Sequence, residues 1–180
     1  MLAGHGRHDG NDFPHLMQIL QKIGEVAHET VQMADGIVWA VNPRNDTLHH
    51  LANYLVRFTE DFFRHTPIRC RLDVPLRVPP MPLSSQLRHH LLLAVKEASN
   101  NAARHSGATE VWLRLEHTPA MLAVCIEDNG CGFDPATART RGNGLKNLHA
   151  RMTGVGGTAE VTSAAGWGTC VKFVVPLPKE

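Results

Sequence analysis

The sequence has almost no excess of either charge: 18 lysines and arginines nearly balance 17 aspartates and glutamates, for a formal net charge of +1 over 180 residues. Proteins that bind nucleic acid or anionic membranes through their overall charge carry a clear positive excess, so composition supports neither partner. No apolar run approaches the roughly 18 residues that a membrane-spanning helix needs, and no signal peptide is recognisable. We therefore expect a soluble, cytoplasmic chain with no nucleic-acid partner and no membrane segment.

The sequence also lacks the short motifs that bind metal ions. Its 12 histidines are scattered and form no HExxH-like pair, so each is interpreted as a solvated side chain. Its four cysteines form no CxxC pair. Three of them, Cys70, Cys125 and Cys170, lie in or beside apolar runs and are predicted to be small core residues in a reducing compartment.

Residues 1–13 are rich in Gly, His and Asp and are expected to form a flexible tail. Three segments after this tail show the apolar spacing of helices. From residue 14 to about 41 apolar residues recur at helical spacing, and "NPRND" (42–46) interrupts that helix because it contains proline. A second helix is predicted from a cap at Asp46 or Thr47 to about residue 65, with Phe62 among its inward residues. A third is predicted over about 85–105, after a cap at Ser84 or Ser85.

The remaining segments alternate like strands. Residues 68–74 form one such run, and 109–117 and 121–128 form an apparent hairpin. A short helix is predicted at 144–154 and a last hairpin at 157–176. The chain has too few helices and too many hairpins for a doubly wound parallel sheet. We predict an α/β (α+β) fold: a two-layer sandwich of a mixed, mostly antiparallel sheet with helices on one face.

The third predicted helix carries an unusual polar stripe. Glu97 and Asn101 are four residues apart and share one face, and Arg104 and His105 continue the stripe. An amide oxygen suits a hard cation, and a carboxylate can act as a base. The stripe therefore indicates a site for a cation or a phosphate.

Three glycine-containing motifs follow that helix. "EDNGCGF" (127–133) ends an apolar strand at Asp128, and it is also the pattern of an ordinary hairpin turn. "GNGLKNLHARM" (142–152) leads two glycines into a helix start, where free N–H groups can bind phosphate, or is simply a flexible loop before a helix. "GWGTCVKFVVP" (166–176) is a glycine turn that opens a strand.

In this order the motifs resemble those of the ATP-binding domain of the histidine kinase, gyrase, Hsp90 and MutL superfamily, the Bergerat fold. "EASNNAARH" resembles its N box, "DNGCGF" its G1 box, "GNGL" its G2 box, and "GWGT" its final glycine-threonine element. Residues 37–55 and the short segment between the G1 and G2 boxes resemble sensor histidine kinases of the nitrate-sensor and LuxR-coupled type. The resemblance covers about residues 14–178.

The resemblance implies a domain organisation. Residues 1–13 would be a tail, 14–41 the second helix of a dimerisation and phosphotransfer hairpin, and 46–178 the ATP-binding domain. The implied function is the catalytic part of a sensor histidine kinase, either in the cytoplasm or as the cytoplasmic part of a membrane-bound sensor. Its implied ligands are ATP and Mg²⁺. Its implied partners are a response regulator, the phosphoacceptor helix of the same or a partner kinase, and a second copy in a homodimer.

Site roles follow from the same resemblance. Glu97 would polarise the attacking imidazole or a water, and Asn101 would coordinate the Mg²⁺ that bridges the ATP phosphates. Arg104 and His105 would lie near the phosphates or ribose. Asp128 would accept the adenine amino hydrogen.

The glycine motifs would complete this site. Gly130 and Gly132 would let the backbone pack against the base, and Thr169 would hold Asp128 or an ordered water. Backbone N–H groups would reach the phosphates from Gly142, Gly144 and Leu145. Residues 133–143 would form a lid, mobile without nucleotide, with Arg139 and Arg141 available to the phosphates.

The sequence departs from the family pattern at its N terminus. The family's acceptor histidine stands in a long helix before the second helix, whereas only "GRHDGND" precedes residue 14. His8 lacks a surrounding helix, and His28 lies in the second helix itself, so we expect neither to be the acceptor. The chain would then be a fragment of a larger kinase or a standalone chain without an acceptor. Two other functions stay open: a standalone serine kinase of the anti-sigma type, and a non-catalytic ATP-binding regulatory module.

Overall fold

The computed structural model describes residues 12–135 and 144–177. The chain consists of two compact units: the first ends at Asp35, and the second begins at Gly36. The helices are α1 (Asp12–Val41), α2 (Leu48–Phe63), α3 (Ser85–His105) and α4 (Gly144–Thr153). The strands are β1 (Arg69–Asp73), β2 (Glu110–His117), β3 (Met121–Asp128), β4 (Thr158–Ser163) and β5 (Thr169–Pro176).

The first unit contains most of α1. Large apolar side chains lie exposed along its first turns, at Phe13, Leu16, Met17, Ile19, Leu20 and Ile23. Most of these residues are three or four positions apart and therefore share one side of the helix. The predicted helix is thus present, and it carries an apolar stripe.

The second unit begins with the last residues of α1. The helix ends at Val41, and a short 3₁₀ turn, Pro43–Asn45, follows it, with the Asn42 side chain accepting from the Arg44 N–H at 3.0 Å. Proline at this point has no N–H to contribute to a continuing helix, which explains the break that the sequence predicts. α2 then begins after Thr47, whose hydroxyl caps it by accepting from the His50 N–H at 3.3 Å.

The five strands form one sheet in the order β1-β2-β3-β5-β4. β1 pairs with β2 in parallel, and the other three pairings are antiparallel. The prediction of a mixed, mostly antiparallel sheet is confirmed. Each antiparallel hairpin is closed by a short connection, whereas the parallel pair β1 and β2 is joined through α3.

One face of the sheet holds the core of the second unit. Apolar side chains from α2, α3 and α4 pack with the alternate, inward residues of the strands, for example Leu91, Leu148, Leu113 and Phe173. The residues between them on each strand point to the opposite face. The two-layer arrangement with helices on one face is therefore confirmed. Phe62, which was expected to point inward, packs partly buried against the core, and its neighbour Phe63 is buried as well.

No helix within residues 12–135 and 144–177 is long and apolar enough to cross a membrane.

Candidate functional site

The polar stripe predicted on the third helix is present on α3. Ser84 caps the helix by accepting from the Leu87 N–H at 3.1 Å, and the helix continues to His105. Burial of Ala94, Ala98 and Ala102 against the sheet turns the neighbouring face, with Glu97 and Asn101, to the edge of the core. Both side chains are half-buried, so each combines a fixed position with access to a ligand.

The start of α4 lies against the same face of α3. A Cβ placed on Gly144 would be 2.9 Å from Oε1 of Glu97 and 4.0 Å from Nδ2 of Asn101. Glycine at position 144 therefore allows the two helices to approach this closely. The structure therefore brings the Glu97–Asn101 pair together with the N-terminal end of α4, where the first backbone N–H groups have no partner within the helix itself.

Asp128 ends β3 on the helix side of the sheet. Its side chain is only 7% exposed, and Oδ1 accepts a hydrogen bond from the Gly130 N–H at 2.9 Å. Burial raises the pKa of this carboxyl, and backbone hydrogen bonds from Gly130 and Thr169 offset part of that rise. A carboxylate offers about four acceptor positions, so Asp128 retains capacity for a ligand donor.

Thr169 lies directly opposite Asp128 in the β3–β5 register. Its backbone group bonds the Asp128 carboxylate, while its hydroxyl lies 3.0 Å from Oγ of Ser163. The structure therefore places Thr169 beside Asp128, and its role in holding this carboxyl or an ordered water stays a prediction.

The loop after Asp128 packs against the C-terminal end of α3. A Cβ on Gly130 would collide with the carbonyl oxygen of Ser106, and the Cys131 N–H donates to that same oxygen at 2.7 Å. Gly132 has φ 60°, in the left-handed region that glycine adopts without strain. The glycines of this motif are required by a close backbone approach, which an ordinary hairpin turn does not need.

Two polar residues of the site have no role in the sequence analysis. Asn129 accepts from the N–H groups of Thr109 and Glu110 at 3.0 and 2.9 Å, and thereby ties the loop to the start of β2. Ser163 accepts from the Phe133 N–H at 2.9 Å and donates to the Gly168 carbonyl at 2.8 Å. The "DNG" pattern is a signal for an asparagine of this kind, whereas nothing in the sequence distinguishes Ser163 from other strand serines.

The remaining predicted site residues lie away from these contacts or outside the described part of the chain. Arg104 and His105 are exposed on the last turn of α3, and the His105 carbonyl accepts from the Cys131 thiol at 3.6 Å. Leu145 belongs to the first turn of α4. Gly142, most of the predicted lid with Arg139 and Arg141, and His8 lie outside the described residues. His28 is in α1, within the stretch of the helix whose side chains are not described.

The arrangement suits a nucleotide. A helix N-terminus favours phosphate groups, and it faces a carboxylate and an amide on α3. The amide oxygen of Asn101 is the kind of ligand that Mg²⁺ accepts, and the half-buried side chain of Asn101 is partly open to solvent. At the other end, a buried carboxylate with fixed N–H partners can select a base that donates an amino hydrogen.

Comparison with known proteins identifies the family in which these site features occur together. A family model described as histidine kinase-, DNA gyrase B-, and HSP90-like ATPase matches residues 86–179, just over half of the chain.

Curated relatives include the sensor histidine kinase LiaS of Bacillus subtilis, 32% identical over 127 residues, which cover 70% of this chain and 34% of LiaS. The sensor protein VraS of Staphylococcus aureus is 34% identical over 94 residues, covering 52% of this chain and 27% of VraS. The chain thus spans about a third of the length of these relatives.

Solved structures share the fold. The histidine kinase AdeS of Acinetobacter baumannii has a TM-score of 0.60 at 18% identity, covering 98% of this chain and 89% of AdeS. The histidine kinase domain of the Erythrobacter litoralis blue-light activated kinase EL346 has a TM-score of 0.59 at 24% identity, covering 71% of this chain and 61% of that domain.

Proposed function

Because this chain belongs to the family of histidine kinase-, DNA gyrase B- and HSP90-like ATPases, we propose that it is the ATP-binding catalytic part of a sensor histidine kinase. In this role it transfers the γ-phosphate of ATP to a histidine side chain, from which a response regulator takes it. The similarity to LiaS and VraS, both named as sensor proteins, supports this choice within the family.

One observation carries the proposal: two separate motifs pack against the C-terminal turns of α3. The start of α4 lies against Glu97 and Asn101, and the loop that follows Asp128 lies against Ser106. A base held at Asp128 and phosphates held at the start of α4 would therefore both border the last turns of one helix. That is the layout that a single bound nucleotide requires.

Asp128 would select the base. Its carboxylate would accept the adenine amino hydrogen, whereas guanine has a carbonyl at that position and would be repelled. The fixed backbone partners from Gly130 and Thr169 hold the carboxylate in one orientation before the base arrives. Selection then depends on a charge-assisted hydrogen bond in a buried place.

Glu97 and Asn101 would serve the phosphate end. Asn101 would hold Mg²⁺ through its amide oxygen; when bound, this ion neutralises phosphate charge. Glu97 would accept the proton of the attacking imidazole, or orient it, and the N–H groups at Gly144 and Leu145 would bind phosphate oxygens. Phosphoryl transfer is then achieved mainly by positioning and electrostatics. Arg104 and His105 are proposed as further contacts to phosphate or ribose.

The proposed partners are an acceptor helix, a response regulator and a second copy of the chain. We assign residues 14–41 to the second helix of a dimerisation hairpin and residues 46–178 to the ATP-binding domain. Among sensor histidine kinases, we assign the protein to the nitrate-sensor and LuxR-coupled type. The exposed apolar stripe on α1, defined above, supports the dimerisation role, because such a stripe gains stability when another helix covers it.

The test is the chemistry of the product. The chain is mixed with a separately purified acceptor hairpin of a related kinase, labelled ATP and Mg²⁺, and a hairpin that lacks its histidine serves as control. We expect label on the intact hairpin alone, lost in acid and retained in base, as a phosphohistidine is. Acid-stable label on serine would identify an anti-sigma type kinase. ATP binding without transfer would identify a regulatory module; either result contradicts the proposal.

A further inference from the structure

Two cysteines lie side by side on the sheet face that the helices do not cover. Cys125 of β3 and Cys170 of β5 alternate with the inward residues Val124, Ile126 and Val171, so their side chains point away from the nucleotide site. Their Sγ atoms are 2.7 Å apart, and both thiols are free. The expectation of small core residues is met by Cys125, which is buried, whereas Cys170 is only partly buried, and strand alternation places both on the face opposite the helices.

The strand register explains why the two sulfurs meet. Cys125 lies opposite Lys172, and Cys170 lies opposite Glu127, so the cysteines form a diagonal pair across adjacent antiparallel strands. Such diagonals are within reach of side chains. The sulfurs are already closer than a normal non-bonded contact, and a disulfide bond of about 2.05 Å requires only a further small approach.

The two thiols differ in character. Cys125 is only 8% exposed, whereas Cys170 is partly open to solvent. The hydrogen bond between the two sulfurs lowers the pKa of Cys170, and the nearby charges of Lys172 and Arg114 act in the same direction, against burial and Glu127. The same hydrogen bond and burial raise the pKa of Cys125. Because Cys170 is also the more exposed sulfur, we assign it as the attacking thiol and Cys125 as its partner.

A metal ion is a less suitable occupant of this pair. Glu127 is the third potential ligand, with its donor atom within 4.8 Å of both sulfurs. However, Oε2 of Glu127 already accepts from Nε of Arg114 at 2.9 Å, and a guanidinium cation beside the pair opposes a second positive charge. A metal would also require the sulfurs to move apart, since ligands bound to one ion about 2.3 Å away cannot be so close together.

We propose that Cys125 and Cys170 are an oxidation site for hydroperoxides, in which a β3–β5 disulfide forms. The Cys170 thiolate attacks one oxygen of hydrogen peroxide, the O–O bond breaks, hydroxide leaves, and Cys170 becomes a sulfenic acid. The Cys125 thiol then attacks the Cys170 sulfur, forming the S–S bond, and the sulfenic oxygen leaves as water with the Cys125 proton. Peroxide is reduced, the two thiols are oxidised, and a dithiol reductant reverses the change.

The experiment uses the full chain carrying Cys131→Ser, which removes the exposed fourth thiol. Cys70 serves as an internal reference, because burial raises the pKa of its thiol to about 11. After treatment with hydrogen peroxide, peptide mass spectrometry should show a Cys125–Cys170 link and a mass loss of two hydrogens, both reversed by dithiothreitol. No link, or a link between other cysteines, would overturn the proposal.

Single variants separate the two roles. Cys125→Ala should stop at a Cys170 sulfenic acid that dimedone traps, whereas Cys170→Ala should leave Cys125 unreacted. Circular dichroism checks that each variant is folded. In the parent, without any substitution, we expect iodoacetamide to label Cys170 faster than Cys125. Faster labelling of Cys125, or zinc binding that protects both thiols in the parent, would contradict the assignment.

Discussion

Asp128 has two conflicting requirements. It is buried, and burial raises the pKa of its carboxyl, yet recognition of an adenine amino group needs the ionised form. The N–H groups of Gly130 and Thr169 partly compensate the loss of water. A carboxylate maintained in such a buried position costs stability, which is typical of a residue kept for function.

The first prediction concerns nucleotide affinity. Asp128→Asn keeps the size of the side chain but places an amide where a charged acceptor is needed. We expect ATP binding to weaken by about 1.5–3 kcal/mol, the value of a hydrogen bond to a charged group. Isothermal titration calorimetry measures the change in ATP affinity. The control variant is Glu116→Gln, which alters an exposed carboxylate of β2. Equal ATP affinities for Asp128→Asn and the parent would contradict the assignment.

The second prediction concerns pH. An acid whose pKa is raised on folding binds more protons in the folded state, so the free energy of unfolding rises as pH falls. Without nucleotide, the stability of the parent relative to Asp128→Asn should therefore increase as pH is lowered from neutral towards the ordinary aspartate pKa of 3.8. Urea denaturation of both proteins across this range measures the difference. A difference that stays constant, or shrinks on acidification, would show that Asp128 is not destabilised by burial.

At the scale of elements, a buried arginine joins the end of α1 to α3. Arg88 is 2% exposed. Its guanidinium donates to the carbonyls of Ala40 at 2.6 Å and Leu83 at 2.7 Å, and to that of Asn42 at 3.4 Å. Carbonyls that end a helix need such donors. Arg88 thus fixes the segment through which α1 leads into the second unit.

The third prediction tests this connection. Arg88→Met retains most of the side-chain volume and leaves the buried carbonyls without their donor. We expect the free energy of unfolding of the second unit to fall by about 2–4 kcal/mol, measured by urea denaturation. Arg64→Met, which removes an exposed ion pair with Asp61 on α2, should change it by less than about 1 kcal/mol. Similar effects of the two substitutions would remove the special role of Arg88.

Most elements could be predicted from the sequence because each has a local signal. α3 is an example: a serine cap, an apolar stripe and a polar end delimit it. The strand order could not be predicted in this way, because alternation shows which side of a strand is buried but not which strand lies beside it. The position of β5 between β3 and β4, and hence the meeting of Cys125 with Cys170, depends on contacts distant in sequence.

The residues of the proposed site could be predicted from the sequence about as well as the elements of the fold. Glu97, Asp128 and Gly144 were identified because their motifs resemble a known family, and the structure supplies their contacts. Ser163 was not identified, since its two hydrogen bonds exist only after β4 and the Gly168 turn are brought together.

At the scale of the whole molecule, binding of ATP and delivery of an acceptor histidine are separate requirements of the proposed reaction. Transfer needs an in-line nucleophile held close to the phosphorus, and the sequence around His8 has no helical pattern. The fourth prediction is that this chain alone, incubated with labelled ATP and Mg²⁺, binds nucleotide but labels itself negligibly. Strong self-labelling mapped by mass spectrometry to His8 or His28 would show that an acceptor had been overlooked.

The most direct test of the central claim compares binding and transfer in Glu97→Gln. We propose that Glu97 lies at the phosphate end and acts on the proton of the acceptor histidine. Its loss should therefore slow phosphoryl transfer while ATP still binds. We expect ATP affinity within about threefold of the parent, and transfer to a supplied acceptor hairpin slower by about 10²–10⁴-fold, the usual contribution of a general base. Asn101→Ala should weaken Mg·ATP binding as well. Transfer by Glu97→Gln at the parent rate, measured at saturating ATP, would contradict the account.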